Sequence, residues 1–206
     1  MKKMIEAVNI SKSFGKQQVF ADLSISANKG EWLCVYGDSG CGKTTLINTL
    51  AGLTMPDNGT VSRYTERIGF AFQDDRLLEW KSSLDNIVFV LRSQYERSVC
   101  IRESKKWLDK VGLGNFAERK PPQLSGGMRR RLNIARALAV KPDILFLDEP
   151  FAFLDKANAI TVRNLIVDAV KKMRTTVIMV THSLDELKDL DYRLIDIGTS
   201  KVDSLS

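Results

Sequence analysis

Among 206 residues there are one histidine, three cysteines and five prolines, and each scarcity excludes something. Cys34, Cys41 and Cys100 make neither an even disulfide set nor a metal-ligand spacing, so they read as reduced thiols. No apolar run approaches the roughly 18 residues that a membrane-spanning helix requires. Met1 to Asn9 has two lysines but no apolar stretch or small-residue cleavage site, which argues against a secretory leader. Internal repeats, low-complexity linkers and sustained heptads are also missing, which excludes solenoids and long coiled coils. The net charge of +6 is spread along the chain, and its nearest cluster, Arg129, Arg130 and Arg131, fans around a helix instead of forming one face. That charge suits an ordinary basic protein or one that prefers anionic surfaces; with no sustained heptads, no nucleic-acid partner is expected. What remains is 44% hydrophobic and 27% charged, enough apolar material for one core with a small satellite.

Short apolar runs at Trp32–Tyr36, Ile68–Phe72, Ile144–Leu147 and Val177–Val180 read as parallel strands covered on both faces. Helical spacing predicts helices over Lys43–Ala51, Arg129–Val140, Ala157–Met173 and Leu184–Leu190. Strand and helix in alternation argue for an α/β fold with a mainly parallel sheet. Two stretches depart from that rhythm. Residues 1–31, with Gly15 and Gly30 as turn punctuation, suggest a small N-terminal antiparallel sheet. Residues 76–120 read as an inserted helical block that contains a helix over Arg102–Val111 and ends at Pro121 and Pro122.

Gly37-Asp38-Ser39-Gly40-Cys41-Gly42-Lys43-Thr44 follows an apolar strand and opens a helix, and fits G-x-x-x-x-G-K-[ST]. Glycines let such a loop turn its backbone N–H groups onto phosphate oxygens, and the helix N-terminus adds partial positive charge. Lys43 is placed to reach the β- and γ-phosphates of ATP and Thr44 to ligate Mg²⁺; Thr45 follows in the same turn. Ile144-Leu145-Phe146-Leu147-Asp148-Glu149 is an apolar strand ending in two carboxylates, which a buried strand tolerates only beside something positive. Asp148 is expected to hold Mg²⁺ through a water and Glu149 to polarise the attacking water. Leu124-Ser125-Gly126-Gly127 runs into a helix beginning near Met128 and offers a second anion site built from a hydroxyl and glycine amides.

Taken together, these motifs resemble the nucleotide-binding subunit of ATP-binding cassette (ABC) transporters, over essentially the whole chain and in that family's order. The resemblance implies an ATPase of P-loop NTPase fold, a single domain over 1–206. Its nucleotide-binding core comprises 1–75, with the antiparallel part, and 121–206; its helical subdomain spans 76–120. It further implies that Phe14 stacks on adenine, although a core aromatic is the plainer reading. Gln73, in Ala71-Phe72-Gln73-Asp74, senses Mg²⁺ and water. Leu154-Asp155 bridges two subunits, and His182 contacts the γ-phosphate, although it also reads as a simple cap after a strand. Candidate catalytic residues are thus Glu149, His182, Gln73 and Lys43, and candidate metal ligands are Thr44, Gln73 and Asp148. The nucleotide contacts are Phe14, the 37–45 loop, Asp155 and, from a partner subunit, Ser125, Gly126 and Gly127. The implied partners are permease subunits and a second copy of the chain, head to tail, on the cytoplasmic side of the membrane.

The segment Gly126–Arg131 and the Glu149-Pro150-Phe151 step are similar to the importer branch for nitrate, sulfonate or taurine. Met128 stands where that family usually has glutamine, and Phe153 where a small residue is commoner. The short interval from Lys43 to Gln73 implies a trimmed antiparallel sheet, and 24 residues after His182 leave no room for a regulatory domain. Trp80, Leu84, Ile87 and Phe89 read either as a groove for a permease helix or as the core of the helical block. A motor for a non-transport envelope complex and an ATPase acting on nucleic acid or ribosomes stay open as alternatives.

Overall fold

The computed structural model describes residues 2–152 and 154–197; Phe153, singled out above, lies outside the described residues. The first half runs β1 (Lys3–Phe14), β2 (Gln17–Asn28), β3 (Trp32–Tyr36), α1 (Lys43–Ala51), β4 (Asn58–Arg63) and β5 (Ile68–Ala71). There follow α2 (Ser83–Leu91), α3 (Arg97–Lys110), α4 (Gly126–Ala139), β6 (Ile144–Asp148), α5 (Lys156–Met173), β7 (Thr176–Thr181) and β8 (Arg193–Asp196). One sheet is parallel, in the order β5-β6-β7-β3-β8; the other is antiparallel, in the order β2-β1-β4.

Side chains of a strand alternate between faces, and here both faces are apolar. Ile144, Phe146, Ile178, Val180, Leu33 and Val35 point to one side. There they are buried with Leu46, Ile47 and Leu50 of α1 and Ile5, Ile10 and Ile25 of the antiparallel sheet. Leu145, Leu147, Val177, Met179 and Cys34 point to the other, against Leu132, Ala135 and Leu138 of α4 and Val162, Ile166 and Val170 of α5. Burial pushes the Cys34 thiol up to about 12, so it stays protonated and inert. Helices α2 and α3 pack on each other and on α4, joining that second layer through Ile87, Leu91, Trp107 and Leu108.

Four features differ from the sequence reading. α4 starts three residues before Arg129: Ser125 is its N-cap, accepting from the Met128 N–H at 3.3 Å, and both glycines lie in the first turn. α3 starts five residues before Arg102 and ends at Lys110, one residue before the expected Val111. The Leu184–Leu190 helix reduces to a single 3₁₀ turn, Asp185–Leu187, because Lys188 (φ −50°, ψ 136°) and left-handed Asp189 (φ 67°) both leave helical geometry just after buried Leu187. Strands β4 and β8 were not anticipated. The antiparallel sheet has three strands among the described residues, in keeping with the small one expected.

The α4 helix lies directly on β5 at Gly69, where an added Cβ would overlap the Ala137 carbonyl oxygen and press on Pro142. Because backbone cannot yield as a side-chain tip can, Gly69→Ala should destabilise the fold by about 1–3 kcal/mol. A urea midpoint unchanged from wild type would contradict this packing.

Candidate functional site

The loop between β3 and α1 is shaped by left-handed Gly40 (φ 82°) and Gly42 (φ 103°), a conformation that other residues rarely adopt. Val19 of β2 packs against Gly42, fixing the loop from below. Asp38, Ser39 and Gly40 form its exposed outer turn, closed by the Cys41 N–H to the Asp38 carbonyl at 3.3 Å. Lys43 is buried, and its ammonium donates to the carbonyls of Gly37 (2.8 Å) and Asp38 (2.9 Å). Two neutral acceptors leave that charge largely uncompensated within the loop, which suits a polyphosphate. Thr45 caps nothing; its carbonyl accepts from Thr49 Oγ1 within α1.

Strand β6 delivers the two carboxylates. Asp148 is buried and accepts from Thr44 Oγ1 at 3.3 Å. Desolvation pushes its carboxyl up to about 6; the Thr44 bond opposes that, and the neighbouring Glu149 charge adds to it. Glu149 takes a left-handed backbone (φ 45°), with its N–H on the Val180 carbonyl, and so swings its side chain out of the strand direction. Three groups then meet it. Lys43 Nζ stands 3.7 Å from Oε1, Gln73 Nε2 3.5 Å from Oε2 and His182 Nδ1 3.3 Å from Oε2. Ser39, Gln73, Glu149 and His182 line one open cleft of about 460 Å³, with Phe151 and Leu154 as its apolar wall. Thr181 Oγ1 ties back to Ser183 at both its N–H and its carbonyl, which sets the turn carrying His182. A hydroxyl and a carboxylate side by side are hard oxygen donors of the kind Mg²⁺ takes together with phosphate and water, so the residues fit MgATP.

The structure does not bring Ser125, Gly126, Gly127 or Asp155 to the phosphate loop; they form a second surface. Asp155 caps α5, its two oxygens accepting from the Asn158 N–H (2.9 Å) and side-chain amide (2.6 Å), and a Cβ on Gly127 would just touch Asn158 and Leu154. Neither glycine has positive φ, and neither faces a crowding neighbour within the chain. Met128 packs its side chain toward the core. Phe14 is 57% exposed at the end of the β1–β2 hairpin, with Lys12 Nζ 5.4 Å from its ring centroid, which removes the core-aromatic reading. The residues proposed as a groove divide: Ile87 is fully buried and Leu84 partly so, whereas Trp80 is 69% exposed and Phe89 open. Phe89 lines an apolar cleft of about 280 Å³ between β5, α2 and α4, with Phe70, Phe72, Leu78 and Val90.

Sequence reading missed what the three arginines do. Arg129 donates to the Leu124 carbonyl, Arg131 to Val111, and Arg130 to both Phe72 (2.7 Å) and Gln73 (2.8 Å). No pattern of periodicity signals such contacts; they depend on which loop happens to pass the helix.

A glycine loop between strand β3 and helix α1, with a carboxylate pair at the end of β6, two strands away across β7, defines a P-loop nucleotide-binding protein. The ABC transporter family matches residues 20–152. The chain is 41% identical over 194 residues, 88% of it and 73% of the relative, to "Taurine import ATP-binding protein TauB" of Pseudomonas aeruginosa. It is 33% identical, over 95% of the chain and 80% of the relative, to "Nitrate transport protein NasD" of Klebsiella oxytoca. Among solved structures it is similar to a dimeric, post-hydrolysis state of the ATP-binding cassette MJ0796 bound to ADP and Pi. The TM-score is 0.81 at 27% identity, covering 89% of this chain and 90% of that one. The chain belongs to the ABC transporter family and is an ATP-binding, ATP-hydrolysing subunit of a transporter. Among the described residues no helix is long and apolar enough to cross a membrane.

Burial of Asp148 has a cost that can be measured. The folded carboxyl holds its proton up to about pH 6, the unfolded one only to the ordinary carboxylate value of 3.8. Between those values the native state binds more protons, so stability falls as pH rises through the window and is level above it. Asp148→Asn keeps an acceptor for Thr44 without the charge. In nucleotide- and metal-free buffer at pH 7.5 it should be more stable than wild type by about 2–3 kcal/mol, a gap closing near pH 4. Equal stability at both pH values would refute the assignment.

Proposed function

We propose that this chain powers solute import by pairing head to tail with a second copy around two MgATP molecules, at the cytoplasmic face of a permease. The observation that carries the reading is the meeting of Lys43, Gln73 and His182 on one carboxylate, Glu149, beside the Thr44–Asp148 pair. Mg²⁺, when bound, supplies charge neutralisation on the β- and γ-phosphate oxygens. Thr44 Oγ1 and Asp148 are the groups that would hold it, Asp148 through a water, with Gln73 at the edge of the site. Glu149 orients water at Oε2 and accepts its proton. With its Nδ1 3.3 Å from the same oxygen, His182 presents Nε2–H to the γ-phosphate. Lys43 exchanges two loop carbonyls for phosphate oxygens, while the amides of 37–45 line the polyphosphate and Phe14 offers an open face to adenine.

The head-to-tail arrangement is supported by Gly126 and Gly127. A glycine in a helical turn costs about 1 kcal/mol relative to alanine, and nothing in this chain crowds either position. Glycine there makes sense if the partner's nucleotide comes close, onto the Ser125 hydroxyl and the free N–H groups of α4. Asp155, on the same surface, faces the bridging contact. The chain works as one cassette, with a core of 1–75 and 121–206 and a helical block, 76–120, that presents Trp80 and Phe89 to a permease helix. Relatives named for taurine import and nitrate transport support a small oxyanion as the solute.

Glu149→Gln should keep ATP binding, lose turnover by roughly 10²–10⁴-fold and accumulate a dimer in saturating ATP. A monomer by light scattering under those conditions would sink the sandwich. Ser125→Arg should leave ATP binding by the monomer intact and abolish turnover. If that variant instead loses ATP binding as a monomer, the residue acts within its own chain.

A further inference from the structure

The segment that follows β5 is held almost entirely by α4. The carbonyl of Phe72 accepts from Arg130 (2.7 Å) and Asn133 (2.8 Å), that of Gln73 from Arg130 (2.8 Å), that of Asp75 from Arg136 (2.9 Å) and that of Arg76 from Arg136 (2.8 Å). Arg130, Asn133 and Arg136 lie on one flank of the helix, three residues apart, and all three are buried. Arg130 also stands 3.3 Å from Asp75 Oδ1, and Asn133 3.4 Å from the same oxygen. Burying two guanidinium groups is unfavourable unless their donors are used, and here the donors are spent on main-chain oxygens of one loop. Arg130 is the member that grips the peptide of Gln73 itself, whose side chain reaches Glu149. The other end of the same helix is the Ser125–Gly127 tip.

We infer that Arg130 is a positioning residue for hydrolysis: its two-pronged hold on the Phe72 and Gln73 carbonyls fixes Gln73 against Glu149 and makes that loop and the Ser125–Gly127 tip move as one body. This rests on the reading of Gln73 given above. A planar guanidinium suits the task because two parallel donors fix direction as well as distance. A loop pinned only by one contact could pivot, and misplacement of a water-orienting group by about 1 Å is enough to cost on the order of 10²-fold in rate. The inference also explains why the arginine run fans: each of its three members holds a different carbonyl, and only the middle one touches the catalytic loop.

The test is a double-mutant cycle on the full chain with MgATP. Arg130→Ala should lower kcat roughly 10- to 100-fold and leave the KM for ATP within about 3-fold. Arg130→Lys, which cannot fork to two carbonyls, should fall between the two. On a Gln73→Ala background, Arg130→Ala should cost less than about 3-fold more, because its effect passes through Gln73. A full, additive loss on that background, or a wild-type kcat for Arg130→Ala, overturns the inference while leaving the Gln73 reading intact. A wild-type kcat for Gln73→Ala alone overturns both. Should Arg130→Ala not fold by urea titration, Arg130→Lys and Arg130→Gln carry the same cycle, with the same outcomes deciding it.

Discussion

Two carboxylates end a strand that is otherwise wholly apolar, and the surrounding architecture is largely what makes them tolerable. Asp148 is accommodated by a hydroxyl from α1, with burial pushing its carboxyl up to about 6; Glu149 is turned out of the strand by a left-handed backbone and met by an ammonium, an amide and an imidazole. Those three partners come from α1, from the loop after β5 and from the end of β7. The order of strands in the parallel sheet is therefore also the order in which the candidate catalytic groups are brought to one spot. In sheets of this kind the ends of adjacent strands are where such groups can converge, because each strand contributes one loop to the same edge.

The parts of this arrangement that follow from local chemistry were legible in the sequence. The loop at Gly37–Thr44, the carboxylates after Phe146 and the helix that follows Lys43 are written in contiguous residues with strict spacing. The buried strands were legible because both faces are apolar, which leaves no ambiguity of period. Strand β4, whose sequence is Asn-Gly-Thr-Val-Ser-Arg, has only Val61 partly buried, and β8 is exposed along most of its length, so neither carries a hydrophobic signature. Both are specified by the neighbours that they pair with. The start of α4 was misplaced for a related reason: two glycines argue against helix, and only the Ser125 cap and the tertiary packing override them. The division of Phe89 from Ile87 likewise depends on which side of α2 meets α4, and that is a tertiary fact.

Helix α4 links the two surfaces of the molecule. Its body lies on β5 with no room for a side chain at Gly69, its flank holds the Gln73 loop, and its first turn is the exposed glycine tip. Its body is closely packed, and close-packed interiors are stiff. The apolar cleft beside Phe89 is bounded by the same helix, so a partner seated there would bear on all of these contacts together.

The lack of crowding at Gly126 and Gly127 also affects how errors at this position would play out in a cell. Replacing either glycine by alanine meets no obstruction in the monomer and improves the intrinsic helix preference by about 1 kcal/mol. Such a chain would fold at least as well as the normal one and give proteases and chaperones nothing to recognise. In the head-to-tail pairing proposed above, it would persist, occupy places in assembled transporters and spoil the site of whichever subunit it joined. Damage at this tip would therefore act dominantly over the normal copy, whereas damage in the core removes itself.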